Sequence, residues 1–341
     1  MKRVPVEDAV GMVLCHDMTR IVPGKFKGRA FKKGHIIEET DISTLLSIGK
    51  EHIYVFDLED GLVHENDAAM RIAKAAAGPG IELTEPAEGR VNLKAATAGL
   101  LKINVEALYQ INDIEDIVFS TLHTHQQISE KRSVAGTRIV PLVTAEEKIR
   151  EVESVCKTYY PIVQVLPFRT TRIGVVTTGS EIYHGRIEDK FGPVLHMKFA
   201  ELGSQVMNQV FVSDDTEMTV AAIHKMIDDG AEMIAVTGGM SVDPDDQTPA
   251  SIRAAGGEVV TYGAPIFPGA MFMLAYIGDV PVVGLPGCVM YYKASIFDLV
   301  IPRLLAGERL TRSDIIRMGH GGLCSVCAEC RYPMCGFGKG S

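Results

Sequence analysis

The strongest regularity in the chain is the alternation of short apolar runs with longer amphipathic ones over residues 170–306. TRIGVVTTG and AEMIAVTGG are apolar runs that end in glycine turns. SQVMNQVFV, EVVTYG, MFMLAYIG and VPVVGLPG also read as strands. GPVLHMKFAELG, TEMTVAAIHKMIDDG and TPASIRAAGG carry helical spacing, and CVMYYKASIFDLVIPRLL reads as one long helix that bends near Pro302. Strands alternating with helices of roughly 10–15 residues predict a mostly parallel sheet covered on both faces. Ligands of such sheets bind beyond the carboxyl ends of the strands. The TTG, TGG and LPG turns all fall there.

The pattern is different upstream. In residues 1–60, VPVEDAVGMVL predicts a short helix running into a strand, TDISTLLSIG a helix with Asp41 near its N-cap, and HIYVF a strand. PGKFKGRAFKKGHII is turn-rich, with five cationic residues from Lys25 to Lys33; it is either a solvated hairpin or an anion-attracting surface. In residues 61–167, ENDAAMRIAKAAAG is a helix ended by Gly78 and Pro79. GRVNLKAA and GLLKINV predict strands around a turn at Thr97–Gly99, DIVFSTLHTHQ a strand, TRIVPLV a strand and AEEKIREVESVC a helix. His123 and His125 share one face of the DIVFSTLHTHQ strand, with no third ligand nearby to support a metal site.

Composition narrows the function. The chain has 341 residues, enough for about two domains. With 34 Lys+Arg against 43 Asp+Glu, net charge is −9, which argues against general nucleic-acid binding. Apolar content of 46% with 23% charged residues is that of a packed chain. Glu7 and Asp8 interrupt any signal-like core, and no run of about 18 apolar residues occurs, so no membrane association and a cytoplasmic location are expected. Seven cysteines in such a protein point to metal or redox chemistry. Cys15, Cys156 and Cys288 are scattered and read as small apolar residues.

Four segments carry candidate chemistry. The TTGSE turn offers Thr177, Thr178, Gly179, Ser180 and Glu181 at a strand end, either as donors for a phosphate or pterin oxygen or as a purely structural turn. TGGMSVDPDDQTP is richer. Thr237, Gly238, Gly239 and Ser241 supply an open loop with a hydroxyl, and Asp243, Asp245 and Asp246 put three carboxylates within four positions before Thr248. Such a cluster must be solvated, paired or cation-bound; Mg²⁺ takes a carboxylate or two plus substrate oxygens. The bland alternative is an exposed acidic turn capping a helix. Two Pro-Gly turns follow, Pro268–Gly269 and Pro286–Gly287, the second at a strand–helix junction suited to an anion, with Lys293 beyond it. The tail CSVCAECRYPMCGFGKGS places Cys324, Cys327, Cys330 and Cys335 at C-x2-C-x2-C-x4-C. Thiolates at this spacing hold an iron–sulfur cluster or Zn²⁺; the alternative is a cysteine-rich tail without metal.

TTGSE, TGG-x-S-x(4)-D-x-T and GLPG, in that order, resemble the molybdopterin-binding domain of the MoeA/MogA-type molybdenum cofactor proteins over about residues 170–306. The likeness extends loosely to PGKFKGRAFKKGHII and IGKEHIYV. It implies an α/β fold, with a three-layer αβα MogA-like domain at 168–310 and an N-terminal MoeA-like unit at 1–60; outside the resemblance, the residue pattern gives a middle α+β unit at 61–167 and an added Cys-rich tail at 311–341. It also implies molybdopterin on the TTGSE and TGG loops, Asp246 as the catalytic aspartate with Mg²⁺ and molybdate, and Asp189 as the match to a second family aspartate. Here Asp189 is followed by Lys190-Phe191 where the family has Ser-Asn, Asp243 stands where MoeA-type chains have Gly, and Cys288-Val289 stands where they have Asn-Pro. The expected activity is Mg²⁺-dependent molybdate insertion into adenylylated molybdopterin by a homo-oligomer. Two readings remain beside it: a non-catalytic cofactor carrier or sensor serving a molybdoenzyme, and a CinA-type nucleotide-processing enzyme, whose family shares this sheet.

Overall fold

The computed structural model describes residues 2–22, 26–57, 61–241 and 246–340, arranged as two compact units. The first comprises residues 1–97, 101–124 and 128–165, and the second residues 98–100, 125–127 and 166–341. Among the described residues no helix is long and apolar enough to cross a membrane.

Within the first unit the N-terminal segment forms an antiparallel sheet in which His52–Phe56 lies between Lys2–Pro5 and Val13–Leu14. Leu14, Ile37, Leu45, Ile53 and Val55 form its core. The basic stretch supplies the second strand of a hairpin, Met18–Val22 with Phe26–Phe31; residues 23–25 lie outside the described set. The predicted helix runs Asp41–Ser47 with Thr40 at its N-cap. Asp41 instead accepts from the His35 ring at 2.6 Å and from the Glu38 amide at 2.9 Å.

The middle of the chain packs the helices Glu65–Ala76 and Glu146–Tyr159 with a four-stranded antiparallel sheet ordered Ile117–Thr121, Ser133–Ile139, Arg90–Ala95, Ile81–Leu83. Three expectations change here. Arg90–Ala95 and Gly99–Ile103, read as strands around one turn, belong to different sheets. His123 and His125 do not lie on a strand: pairing stops at Thr121, and His125 has φ +61° in the turn beyond it. TRIVPLV is two strands, Ser133–Ile139 and Val143–Ala145, since Pro141 between them has no N–H for a ladder.

The second unit carries the predicted α/β layering. Its elements are β1 (Arg172–Thr178), α1 (Ser180–Tyr183), α2 (Phe191–Glu201), β2 (Gln205–Val212), α3 (Thr216–Asp228), β3 (Met233–Thr237), α4 (Thr248–Ala254), β4 (Glu258–Tyr262), β5 (Met273–Ile277), β6 (Val280–Leu285), α5 (Cys288–Tyr291), α6 (Ile296–Leu305) and α7 (Arg312–Arg317). The six strands lie in the order β2-β1-β3-β6-β5-β4. β2, β1, β3 and β6 are parallel, while β5 and β4 add an antiparallel edge. Both faces are covered, which is why the central strands read as unbroken apolar runs. Ile173, Val175, Met233, Ala235, Val283 and Leu285 join a core with α2, α6 and α7, and Val176, Ile234, Val236 and Val282 join one with α3 and α4.

The long helix expected over residues 288–305 is two helices. Ser295 starts α6 with a full capping box, its side chain accepting from the Phe297 amide at 3.3 Å while the Asp298 carboxylate accepts from the Ser295 amide at 2.8 Å. This cap competes with helix continuation, and the chain is extended at Tyr292.

In the first unit, Arg71 clamps its helix to Glu146–Tyr159. Its guanidinium reaches Glu146 at 2.7 Å and Glu153 at 2.8 Å. The hydrogen bond from Arg71 holds the Glu146 carboxyl below its ordinary 4.5, at about 2. The resulting stabilisation is complete above about pH 4.5 and is lost as pH falls toward about 2. Arg71→Met is therefore expected to lose about 1–3 kcal/mol at pH 7 and most of this acid dependence. Urea unfolding at pH 7 and pH 3 measures both.

Candidate functional site

The chain leaves β1 to form β2 on one side and returns to form β3 on the other. The carboxyl ends of β1 and β3 thus flank the point where strand order reverses, the position at which open α/β sheets bind ligands. The register pairs Thr177 with Thr237 and Thr237 with Leu285, so the three glycine turns emerge side by side.

Two rows of hydrogen bonds cross this edge. In the first, the Gln209 amide donates to the Asp189 carboxylate at 2.7 Å and to the Thr177 hydroxyl at 2.9 Å, and the Thr237 hydroxyl donates to Thr177 at 3.2 Å. In the second, the Thr178 and Thr248 hydroxyls lie 3.3 Å apart and Thr248 donates to the Gly238 carbonyl at 2.8 Å. All four threonines are buried. The second row depends on glycine. Gly238 has φ +83°, and a Cβ there would sit 2.2 Å from the Thr178 carbonyl oxygen; at Gly239, with φ +55°, it would sit 3.0 Å from the Thr248 hydroxyl. The Thr248 amide closes the loop on the Gly239 carbonyl at 3.2 Å.

A cavity of about 540 Å³ opens at this edge. Thr177, Thr178, Thr237 and Gly238 form one wall, Glu188, Asp189 and Lys190 a charged rim, and Ile182, Ile187, Phe191 and Met290 an apolar side. A pocket part hydroxyl-lined and part apolar is of the kind that takes a small ligand with both polar and apolar parts.

The predicted residues divide. Thr178, Asp189, Thr237 and Gly238 line the cavity, and Gly239 and Thr248 shape it from behind. Gly179 adopts φ +143°, and beside it the Ser180 amide donates to Asp214 at 2.8 Å while the Ser180 hydroxyl meets Ser213 at 2.9 Å. These polar groups brace the β2 exit, and Glu181 is exposed. Ser241 is exposed, its carbonyl 3.5 Å from the Tyr262 hydroxyl. Asp246 is half-buried and lies two residues before Thr248; Asp243 and Asp245 lie outside the described residues. Pro286 and the exposed Gly287 lead from β6 into α5, which brings Met290 to the cavity.

Pro268–Gly269 stands elsewhere. The Ile296 amide donates to Pro268 at 3.1 Å, and a Cβ on Gly269 would lie 2.4 Å from that of Ile296, so this turn seats α6. Asp189 likewise has local work, accepting from the Phe191 amide at 2.9 Å and the Gly192 amide at 3.1 Å at the start of α2. Gln209, which joins Asp189 to the threonines, is absent from the sequence candidates. Its only trace is a polar residue in the middle of an otherwise mostly apolar strand.

The tail cysteines divide by exposure. Cys324 and Cys335 are half-buried against the α6 side of the core, and Cys327 and Cys330 are exposed. All four line a second cavity of about 550 Å³. Among the described residues no three His, Cys, Asp or Glu side chains stand together as a group fit for one metal ion. Of the scattered cysteines, burial pushes the thiols of Cys15 and Cys288 up and that of Cys156 to about 12, so each is held as a neutral thiol.

Residues 174–306 match the family described as a probable molybdopterin binding domain, and residues 3–57 match a domain of unknown function (DUF8806). A CinA-like protein of Mycobacterium sp. (strain MCS) is 29% identical over 92 residues, 27% of this chain and 22% of that protein. A CinA-like protein of Mycobacterium tuberculosis is 30% identical over 79 residues, covering 23% of this chain and 18% of the relative. The chain therefore spans about a fifth of the length of these curated relatives. Among solved structures, the molybdopterin biosynthesis enzyme MoaB from Thermus thermophilus aligns at 17% identity over 41% of this chain and 98% of that chain, with a TM-score of 0.34.

The contact of Gly238 with Thr178 makes a direct prediction. Gly238→Ala forces both a left-handed alanine and a clash with main chain, and is expected to destabilise the sheet unit by about 1–3 kcal/mol. Gly287→Ala meets no atom within 4 Å and should be close to neutral. Thermal unfolding of the two variants side by side checks the contrast.

Proposed function

From the match of residues 174–306 to a probable molybdopterin binding domain, we propose that this chain binds molybdopterin at the joined ends of β1 and β3 and assists Mg²⁺-dependent insertion of molybdate into the adenylylated pterin. The observation that carries the reading is the convergence of Thr177, Thr178, Thr237 and Gly238 on one cavity of about 540 Å³ at the switch point of the sheet. In this reading the hydroxyls and the Gly238 loop receive the polar substituents of the pterin, and Ile182, Ile187, Phe191 and Met290 flank its rings. Lys190 is the cation among the lining residues and faces the anionic end. Asp246, carried on the loop that Thr248 closes onto Gly239, is assigned to Mg²⁺ and molybdate, with Asp243 or Asp245 as its companion. The chain's side chains position and neutralise; no covalent intermediate is asked of them. The iron–sulfur cluster or Zn²⁺ expected at the tail cysteines belongs to the second cavity and takes no part in this step.

The CinA-like relatives favour a second reading, nucleotide processing at the same strand ends. A carrier serving a molybdoenzyme keeps the pterin site and drops turnover.

One assay separates the three. Anaerobic protein is given adenylylated molybdopterin, Mg²⁺ and molybdate, and pterin binding is measured in parallel. Insertion is expected from the unaltered chain, with Asp246→Asn slower by about 10–100-fold at nearly unchanged pterin affinity. Turnover by Asp246→Asn at the original rate would refute the role of that carboxylate. Tight binding with no turnover by either protein selects the carrier, and nucleotide hydrolysis without pterin affinity selects the CinA-type reading.

A further inference from the structure

Beyond α7 the chain folds back on the sheet unit. The Phe267 amide donates to the Gly322 carbonyl and the Cys324 amide to the Phe267 carbonyl, both at 2.8 Å. Farther on, the Tyr332 hydroxyl donates to the Asp298 carbonyl at 2.7 Å, and Phe337 is buried in the core. The cysteine segment is thus pinned at both ends. Between the pins Cys327 and Cys330 stand on an exposed stretch. Its first bend is made by Val326, a β-branched residue at φ +47° and 73% exposed. Such a conformation is strained for a β-branched residue and persists where surroundings impose it. Little packs on a side chain so exposed, but its neighbours on either side include Cys324 and Cys327.

We propose that Cys324, Cys327, Cys330 and Cys335 hold an iron–sulfur cluster in the cavity they line. Two observations together favour a cluster over a single ion. Each of the four thiols borders the same cavity of about 550 Å³, and three consecutive cysteines at spacings of two match the start of a cluster-binding run. Tetrahedral zinc draws its sulfurs to about 2.3 Å of one point. A cluster keeps its thiolates apart, around a body of iron and sulfide. The walls fit such a body: Tyr291, Tyr292, Leu323, Tyr332 and Phe337 give an apolar surround of the kind that tunes a cluster. Ligation exchanges four S–H bonds for four S–Fe bonds and releases four protons to solvent. Built from ferrous and ferric iron with sulfide, the assembly needs no further oxidant or reductant. The cavity also borders residues 291–294, which directly follow Met290 of the first cavity. The cluster would therefore sit one short segment from the pterin site, though its existence does not depend on what that site binds.

The test is anaerobic purification of the full chain, with reconstitution by ferrous and ferric iron plus sulfide in one arm and Zn²⁺ alone in another. Iron and acid-labile sulfide in equal amounts, with broad visible absorption that bleaches on reduction, is the expected result. Cys327→Ser and Cys330→Ser, at exposed positions, should lose most of the iron while the unfolding midpoint of the metal-free chain is unchanged. Cys288→Ser, outside the cavity lining, should retain it. Stoichiometric zinc with no bound sulfide would overturn the cluster, and so would four tail thiols that stay free to alkylating reagent after both treatments.

Discussion

The approach of Gly238 to the Thr178 carbonyl is the constraint on which the sheet edge depends. Two parallel strands can run side by side with any residues in the turns that follow. To bring those turns into contact, one main chain must lie against the other, and a Cβ at 2.2 Å forbids this for every residue except glycine. Once the contact is made, Thr248 can close its loop, and Thr178, Thr237 and Gly238 share one cavity. The geometry of the polar wall follows from a missing side chain.

The opposite flank depends on charge. Lys198, 8% exposed in its side chain, reaches both carboxylate oxygens of Asp298, at 2.8 and 3.1 Å, and the Lys293 carbonyl at 3.1 Å. Burial raises the Asp298 carboxyl, against the pull of Lys198 and the Ser295 donors. An ion pair this buried is tolerable because both partners are further hydrogen-bonded. It ties Lys293 to the start of α6, and Lys293 and Ala294 of that stretch line the second cavity. Asp298 serves the ion pair and the α6 cap through its carboxylate, and Tyr332 through its carbonyl.

The two cavities differ as the chemistry assigned to them does. The first is walled by hard donors, hydroxyls and main chain, and suits oxygen-rich anions. The second is walled by thiols and aromatic rings, a softer and more apolar lining. Both lie in the unit whose strand pattern is the most regular in the chain. The middle of the first unit has a core of comparable completeness, and the one pair weighed from that stretch of sequence, His123 and His125, lies beyond the end of its strand at Thr121.

Local periodicity was enough to determine the α/β character of residues 170–306. Buried parallel strands must be apolar on both faces, and the helices between them must be apolar on one, so the pattern is written in the residues themselves. The same holds for the glycine turns and the cysteine spacing, since each needs a residue type that nothing else replaces. Periodicity did not reveal where a strand pairs. Arg90–Ala95 and Gly99–Ile103 look like two arms of a hairpin, and only tertiary packing sends them to separate sheets. Nor did it reveal the break at Ser295, where a local cap overrides an apolar pattern that would otherwise continue as helix. Gln209 enters the site, and Pro268–Gly269 leaves it, for one reason. Which polar groups meet depends on how strands are ordered and which turns pack on which helix, and those relations join residues far apart in the chain.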